Sequence, residues 1–526
     1  MLLAASASLL PAVVIERYHW HDFAFTAPTT DNPFDVDLRA EFTGPGGIRL
    51  TVPGFYDGAN TWKIRFSPTV TGRWTLRTSS PVAALNGLAD ADIDCTANTN
   101  PAIHGGLTVD PLNRHHFQYE DGSRYFLMGY EADFLWAVDM KDPQRKAMHH
   151  LIDQIAAGGF NHLLVNIYAH DTTWAKGHTN QWDYGPPEMF VFGGTNEKPD
   201  YSSLNTDFFK TYDGMMQALQ DKGIVAHIML KVFNKLVNWP VEGSKDEERY
   251  LRYVTARYQG FSNVVWDYAK EAYYDLDKPL EKRLIDLVRA HDGYHRLTTV
   301  HDDDLYEWDA NLSSNLDFRT DQEHQDWREM LAFDRNLHDR PVLNSELYYE
   351  RGVDDLPTYP RKQDWQEVIG GAYEVYLSGA YFVYYYSNTA WDLVKPDPVP
   401  PGMKPLQILQ QNLSALPYWK MSPRPELAAG GPCLAIPGQV YAFYVHPAAG
   451  SGQRNARTAA AALARGSARE IVTNLTGLTG AATMQWINTW TGDRVDGKIG
   501  KPGVYQFNRP ESFGAAPALL IVSAAR

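Results

Sequence analysis

Three stretches of different rhythm predict an α/β protein built on a (β/α)8 TIM barrel, with a β-sandwich on either side. Short strands recur from the start to about residue 107, apolar runs alternate with helical patterns over 108–424, and short strands return over 425–526. Strands at close spacing between turn signals read as sandwiches, whereas runs alternating with period-3.6 segments read as βαβ units around a parallel sheet.

In the N-terminal region (1–107) the runs are IRLTVPGF, WKIRFSP and GRWTLRTSS, broken by PGG, DGAN and TVTG. The middle region (108–424) carries eight apolar runs: YFLMGY, HLLVNI, GIVAHIML, NVVWD, RLTTVH, NLDFR, PVLNS and AYFVYYY. Between them lie helical patterns. AMHHLIDQIAAGG sets Met148, Leu151, Ile152 and Ile155 on one face, DFFKTYDGMMQALQDKG does the same with Phe208, Tyr212, Met215, Met216 and Leu219, and KRLIDLVRAH and WQEVIGGAYEVYL follow suit. Eight strands over about 300 residues suit a closed barrel better than an open sheet. No glycine-rich phosphate loop follows the first strand, so a dinucleotide-binding sheet has no support. The C-terminal region (425–526) offers CLAIPG, VYAFYV, REIVTNL, ATMQWINTW, GVYQF and ALLIVSA, with WTGDRVDG as a turn and TAAAALARGSARE as a short helix or inserted loop.

Composition excludes several classes. Of 526 residues, 44% are hydrophobic and 21% charged, as in ordinary globular chains. The 48 basic and 63 acidic residues give a net charge of −15. With no long basic run, neither nucleic acid nor an anionic membrane is an expected partner. Cys95 and Cys433 lie far apart and read as buried thiols rather than a disulfide. No run of about 18 apolar residues predicts a membrane span. Met1–Val14 is apolar but lacks a basic leader and is interrupted by Ser6 and Ser8, so it reads as a signal remnant or a first strand. Compartment and oligomeric state stay open. The 15 Trp and 30 Tyr supply core residues and also rings suited to stacking on sugars.

In a parallel barrel the chemistry sits at the C-terminal strand ends. The fourth run leads through WDYAKE to Glu271, and the seventh closes NSE at Glu346. Two carboxylates about 5–5.5 Å apart are what retaining glycoside hydrolysis requires. Spacing alone is weak evidence, because 63 acidic residues produce coincidental pairs and either glutamate could be a solvated loop carboxylate. Other rim candidates for substrate contact are Glu131 and Trp136 after the first strand, Lys231 after the third, His301 at the end of the fifth, and Arg319, Asp321 and His324 after the sixth. The HDDD run at 301–304 reads as a loop, since consecutive residues rarely converge on one ion. His115 and His116 read as structural. HExxH, paired CxxC, Walker and GxSxG patterns are absent, and no metal or cofactor is expected.

Two passages carry a family resemblance. RYVTARYQGFSNVVWDYAKE (252–271) and RPVLNSE (340–346) resemble the strand-4 and strand-7 passages of clan A glycoside hydrolases. The resemblance implies Glu271 as acid/base, Glu346 as nucleophile and Trp391 as an aromatic floor beneath the sugar. VIERYHWHDFAF, NPFDVDLRAEFTGPGG and HGGLTVD resemble the β-sandwich that precedes such barrels in a group of bacterial proteins. WINTWTGDRVDG with GVYQFNRPE resembles a small β domain named for collagen binding, read here as a support for the barrel. One departure stands out. Lys270 occupies the place where the clan carries a sugar-contacting Asn. A cation beside Glu271 favours the carboxylate, the opposite of what a general acid needs. Lys270 is therefore expected to line the cleft and meet a substrate oxygen or carboxylate. The reading is a retaining hydrolase of an oligo- or polysaccharide that needs no cofactor. Two rivals stay open: a non-catalytic carbohydrate-binding or adhesion protein, and a polysaccharide lyase using Tyr268, Lys270 or His301 as base. The sugar and its linkage are not legible.

Overall fold

The computed structural model describes residues 13–29, 31–272, 278–302, 316–322, 331–332, 335–336, 339–354, 356, 361–446 and 470–525. His324, Asp303, Asp304, the TAAAALARGSARE stretch up to residue 469 and residues 1–12 lie outside them.

The eight apolar runs of the middle region form eight parallel strands. They are β1 (Gly129–Glu131), β2 (His162–Asn166), β3 (Val225–Val232), β4 (Val264–Lys270), β5 (Thr298–Thr299 and His301–Asp302), β6 (Arg319–Asp321), β7 (Val342–Asn344) and β8 (Tyr381–Tyr386). Each pairs with its successor, β8 pairs with β1, and the two halves of β5 join β4 to β6, which closes the barrel. These strands read as unbroken apolar runs because both faces are covered. Helices α1 (Lys146–Ala157), α2 (Thr206–Asp221), α3 (Lys245–Tyr258) and α4 (Lys278–His291) follow the first four strands. α5 (Trp365–Leu377) and α6 (Met403–Ser414) follow β7 and β8. α1 buries Met148, Leu151, Ile152 and Ile155, the face its spacing predicts. Asn205 caps α2 and Ser244 caps α3, each accepting from backbone N–H groups of the first turn.

Before the barrel, a five-stranded sheet faces a three-stranded one made of His21–Thr26, Thr61–Phe66 and Phe55–Tyr56. Their common core stacks Phe42 on Phe66 at 3.8 Å between ring centres and buries Trp74. Arg65 joins this sandwich to the barrel. It is buried, pairs with Asp22 of its own sheet and with Asp213 of α2, and donates to the Arg257 carbonyl. Arg257 of α3 returns to Asp57 and Asp213. After the barrel come a six-stranded and a three-stranded sheet. Tyr444 of the larger sheet stacks on Tyr373 of α5 at 5.0 Å. The turn read in WTGDRVDG is shorter than expected, because Arg494–Ile499 forms a strand whose Val495 pairs with Trp486. Cys95 and Cys433 are both buried free thiols. Among the described residues no helix is long and apolar enough to cross a membrane.

One feature lies outside the expected pattern. The connection from β2 to α2 is long and carries a hairpin, Phe192–Thr195 with Lys198–Leu204. Its earlier part brings Trp174 over the barrel rim beside Trp391.

Candidate active site

Glu271 and Glu346 come to the same rim. Glu271 follows β4 immediately and takes a left-handed backbone, φ 62°. For a residue with a Cβ that conformation is strained, and such strain collects at functional sites. Gln322 Nε2, just past β6, donates to Glu271 Oε1 at 3.3 Å. Glu346 follows β7. Tyr349 Oη donates to its Oε1 at 2.5 Å, and Tyr385 Oη of β8 donates to its Oε2 at 3.4 Å. Lys270, the chain neighbour of Glu271, reaches across so that its Nζ lies 3.9 Å from Glu346 Oε2. A cation and two phenol donors stabilise the charged form of this carboxylate.

Beneath this pair lies a fully buried ionic group. Lys270 Nζ donates to Glu131 Oε1 at 2.6 Å and to Asp133 Oδ2 at 3.3 Å. Burial opposes the Lys270 charge, but Asp133, Glu131 and Glu346 outweigh it and hold the ammonium well above the usual lysine range. Burial and then the Asp133 charge push Glu131 well above the carboxylate range. Asp133 is also penalised by burial, yet Lys270 and a hydrogen bond from Glu131 hold it below its ordinary value. Burial and the Asp133 charge thus favour the neutral form of Glu131, while the Lys270 charge favours the anion at Asp133. Lys270, expected to meet substrate, makes its short bonds inside the barrel, to Glu131 and Asp133.

His301 is likewise internal. Ser345 Oγ donates to the Asp321 carbonyl at 2.6 Å, so it accepts from His301 Nε2–H at 2.9 Å. The His301 amide donates to Asp267 Oδ1 of β4 at 3.1 Å. His301 thus ties β4, which leads to Glu271, to the residue preceding Glu346. Asp267 Oδ2 also accepts from His227 Nε2 at 2.9 Å, and His227 meets His162 at 3.0 Å, continuing a polar line through the barrel interior.

Three other expected substrate contacts are placed elsewhere. Trp136 is fully buried against Phe134, Tyr168 and Phe208, and its Nε1 donates to the Asp133 carbonyl. Lys231 is buried between Glu247 (2.6 Å) and Glu242 (3.2 Å), where it joins β3 to the start of α3. Arg319 is buried and pairs with Asp321 at 2.5 Å. In each case a polar or aromatic residue at a strand end serves packing or ion pairing in the wall. His116 is structural, bonded to Tyr381 Oη at 2.8 Å.

Trp391 lies at the cleft, 5.2 Å from the Tyr349 ring, and is only 4% exposed. Trp174 covers it, with ring centres 4.2 Å apart, and is itself 41% exposed. Lys235 points between the two indoles, 5.0 Å from one ring centre and 5.2 Å from the other. Sequence reasoning missed Trp174, Lys235, Asp133, Tyr349 and Tyr385. Of these only Tyr349 carried a local signal, following Glu346 in the SELYYE run. Among the described residues no cluster of three His, Cys, Asp or Glu could hold a metal ion.

The fold is a (β/α)8 barrel with two glutamates at its C-terminal rim, and the family match identifies it as a glycoside-hydrolase barrel. The chain belongs to the apiosidase-like family, whose catalytic-domain model matches residues 112–422, more than half of the sequence. A domain family of unknown function, DUF5060, matches residues 14–81. None of the curated proteins matches the chain. Among solved structures, a provisionally assigned glycoside hydrolase from Bacteroides vulgatus is 20% identical, with TM-score 0.75 over 98% of this chain and all of that one. A protein described as a glycoside hydrolase is 17% identical, with TM-score 0.60 over 80% of this chain and 97% of its own. A family 5 glycoside hydrolase from Bacteroides vulgatus is 16% identical, with TM-score 0.59 over 80% of this chain and 93% of its own. At these identities the likeness concerns the fold.

Proposed function

We propose that the chain is a retaining glycoside hydrolase of an oligo- or polysaccharide, with Glu346 as nucleophile and Glu271 as acid/base. The observation that carries this reading is the setting of Glu346, which takes a 2.5 Å bond from Tyr349 and has the Lys270 ammonium 3.9 Å away. These neighbours favour an ionised carboxylate, the form a nucleophile needs. Glu271, on the same rim, accepts from the neutral Gln322 amide at 3.3 Å. In the first step Glu271 gives its proton to the leaving oxygen while Glu346 attacks the anomeric carbon. In the second, Glu271 takes a proton from water, which attacks the same carbon and frees Glu346. Two of the three candidate lyase bases, Lys270 and His301, are bonded inside the barrel, which disfavours lyase chemistry through them.

The test is azide rescue on activated aryl glycosides, with apiosides included because of the family name. Glu271→Ala should give the retained glycosyl azide and Glu346→Ala the inverted one. Full activity in either variant overturns the mechanism.

A further inference from the structure

Lys235 follows β3 by three residues and is 4% exposed. Its ammonium donates to Asn234 Oδ1 at 3.2 Å, and among the described residues no carboxylate lies within ion-pair distance of it. An ammonium carries three N–H donors, and burying it without a close counter-ion is costly. Its other neighbours are the faces of Trp174 and Trp391, which attract a cation without filling its hydrogen bonds. Trp174 is the one aromatic among the exposed large apolar side chains described, at 41% exposure.

The platform is fixed before any ligand arrives. Asp171 accepts from Thr172 N at 2.8 Å and from Gly177 N at 2.6 Å, which pins the loop on both sides of Trp174. The Asp171 carbonyl accepts from Leu236 N at 2.9 Å, sewing that loop to the segment that carries Lys235. Trp391, in contact with both, touches Tyr349, the donor to Glu346.

From these contacts we infer that Trp174 and Lys235 form a sugar subsite beside the carboxylate pair, with a neutral sugar ring lying on the Trp174 face and its hydroxyl oxygens accepting from the Lys235 ammonium. A neutral ring fits better than a uronate. Burial and the Lys270 charge work against this ammonium, while Asp133, Glu271 and Asp392 favour it; with three carboxylates already acting there, a further one would meet their repulsion as well as the attraction of the lysines. Hydroxyl oxygens fill the open donors without adding charge. The assignment rests on reading the cleft as a glycan site and names what that site holds beyond the two glutamates.

The test titrates the full-length protein with D-glucose, D-galactose, D-xylose, L-arabinose, their oligosaccharides, and sodium D-glucuronate and D-galacturonate. Binding is read by tryptophan fluorescence and calorimetry. At least one neutral sugar should bind saturably and more tightly than either uronate. Trp174→Ala and Lys235→Met should each weaken it by about tenfold or more, and Lys235→Arg should weaken it less. The inference is overturned if no neutral sugar binds, if binding survives both substitutions, or if a uronate binds more tightly. Glu346→Ala separates this from the catalytic reading. It should abolish turnover and leave this binding intact, whereas turnover that survives would sink the mechanism without touching the subsite.

Discussion

Replacing Lys270 by Met removes the one cation in a dry group that also holds Asp133, Glu131 and Glu346. Removing one partner of a buried ion pair typically costs about 3–5 kcal/mol, because the remaining charge is uncompensated. The variant should therefore unfold at clearly lower temperature or denaturant concentration. The catalytic effect follows from the 3.9 Å between Nζ and Glu346 Oε2. A unit charge at that distance is worth about 1 kcal/mol in water and about 4 kcal/mol at an effective dielectric of 20. At about 1.4 kcal/mol per pH unit, the acid limb of kcat/KM should move up by roughly 1–3 units. The sign is upward because loss of the cation lets the carboxylate keep its proton to higher pH. The assay is a pH–rate profile of wild type and Lys270→Met on an activated aryl glycoside, with Lys270→Arg as the charge-preserving control. An acid limb that stays in place, or moves equally in Lys270→Arg, would refute the claim that this ammonium holds the nucleophile ionised.

Three further outcomes are expected. His301→Ala should lower kcat by about 10²-fold with little change in KM, since its bonds to Asp267 and Ser345 set the two strand ends that carry Glu271 and Glu346 and a misplacement of about 1 Å carries that penalty; a raised KM with kcat intact would make it a substrate contact instead. Burial pushes Glu350 up to about 7, so its folded value lies above its unfolded one and its protonated form favours the fold. Stability should then be full below about pH 4.5 and fall by up to about 3 kcal/mol as pH rises through 7, and Glu350→Gln should flatten that slope in denaturant titrations across pH. Arg257→Leu leaves Asp57 and Asp213 short of a buried partner and should cost about 3–5 kcal/mol by chemical denaturation, while an unchanged midpoint would show that the sandwich–barrel network adds nothing.

The barrel was legible because strands covered on both faces carry mainly apolar runs, such as LLV in HLLVN and VVW in VVWDYAK. The placement of Glu271 and Glu346 just past barrel strands was legible because they follow such runs. The roles of the other rim residues were not. Lys231, Arg319 and Trp136 also stand at or just past strand ends; tertiary contacts with Glu247 and Tyr168 assign Lys231 and Trp136 to the wall, while Arg319 is buried and pairs within its own strand with Asp321. Lys270 was marked as a departure, but the Glu131–Asp133 pair that receives it lies at the first barrel strand, far away in sequence. Trp174 and Lys235 sit in loops, where no periodicity reports direction, and their meeting depends on the Asp171–Leu236 backbone bond.

The central claim is that Glu346 becomes covalently attached to the sugar. Incubation with a panel of 2,4-dinitrophenyl 2-deoxy-2-fluoroglycosides, followed by peptide mass mapping, tests it most directly. Slowing the second step should accumulate a glycosyl-enzyme adduct whose added mass maps to the peptide containing Glu346 and is absent from Glu346→Ala. An adduct on any other residue, or hydrolysis that releases the inverted sugar without one, would contradict the account.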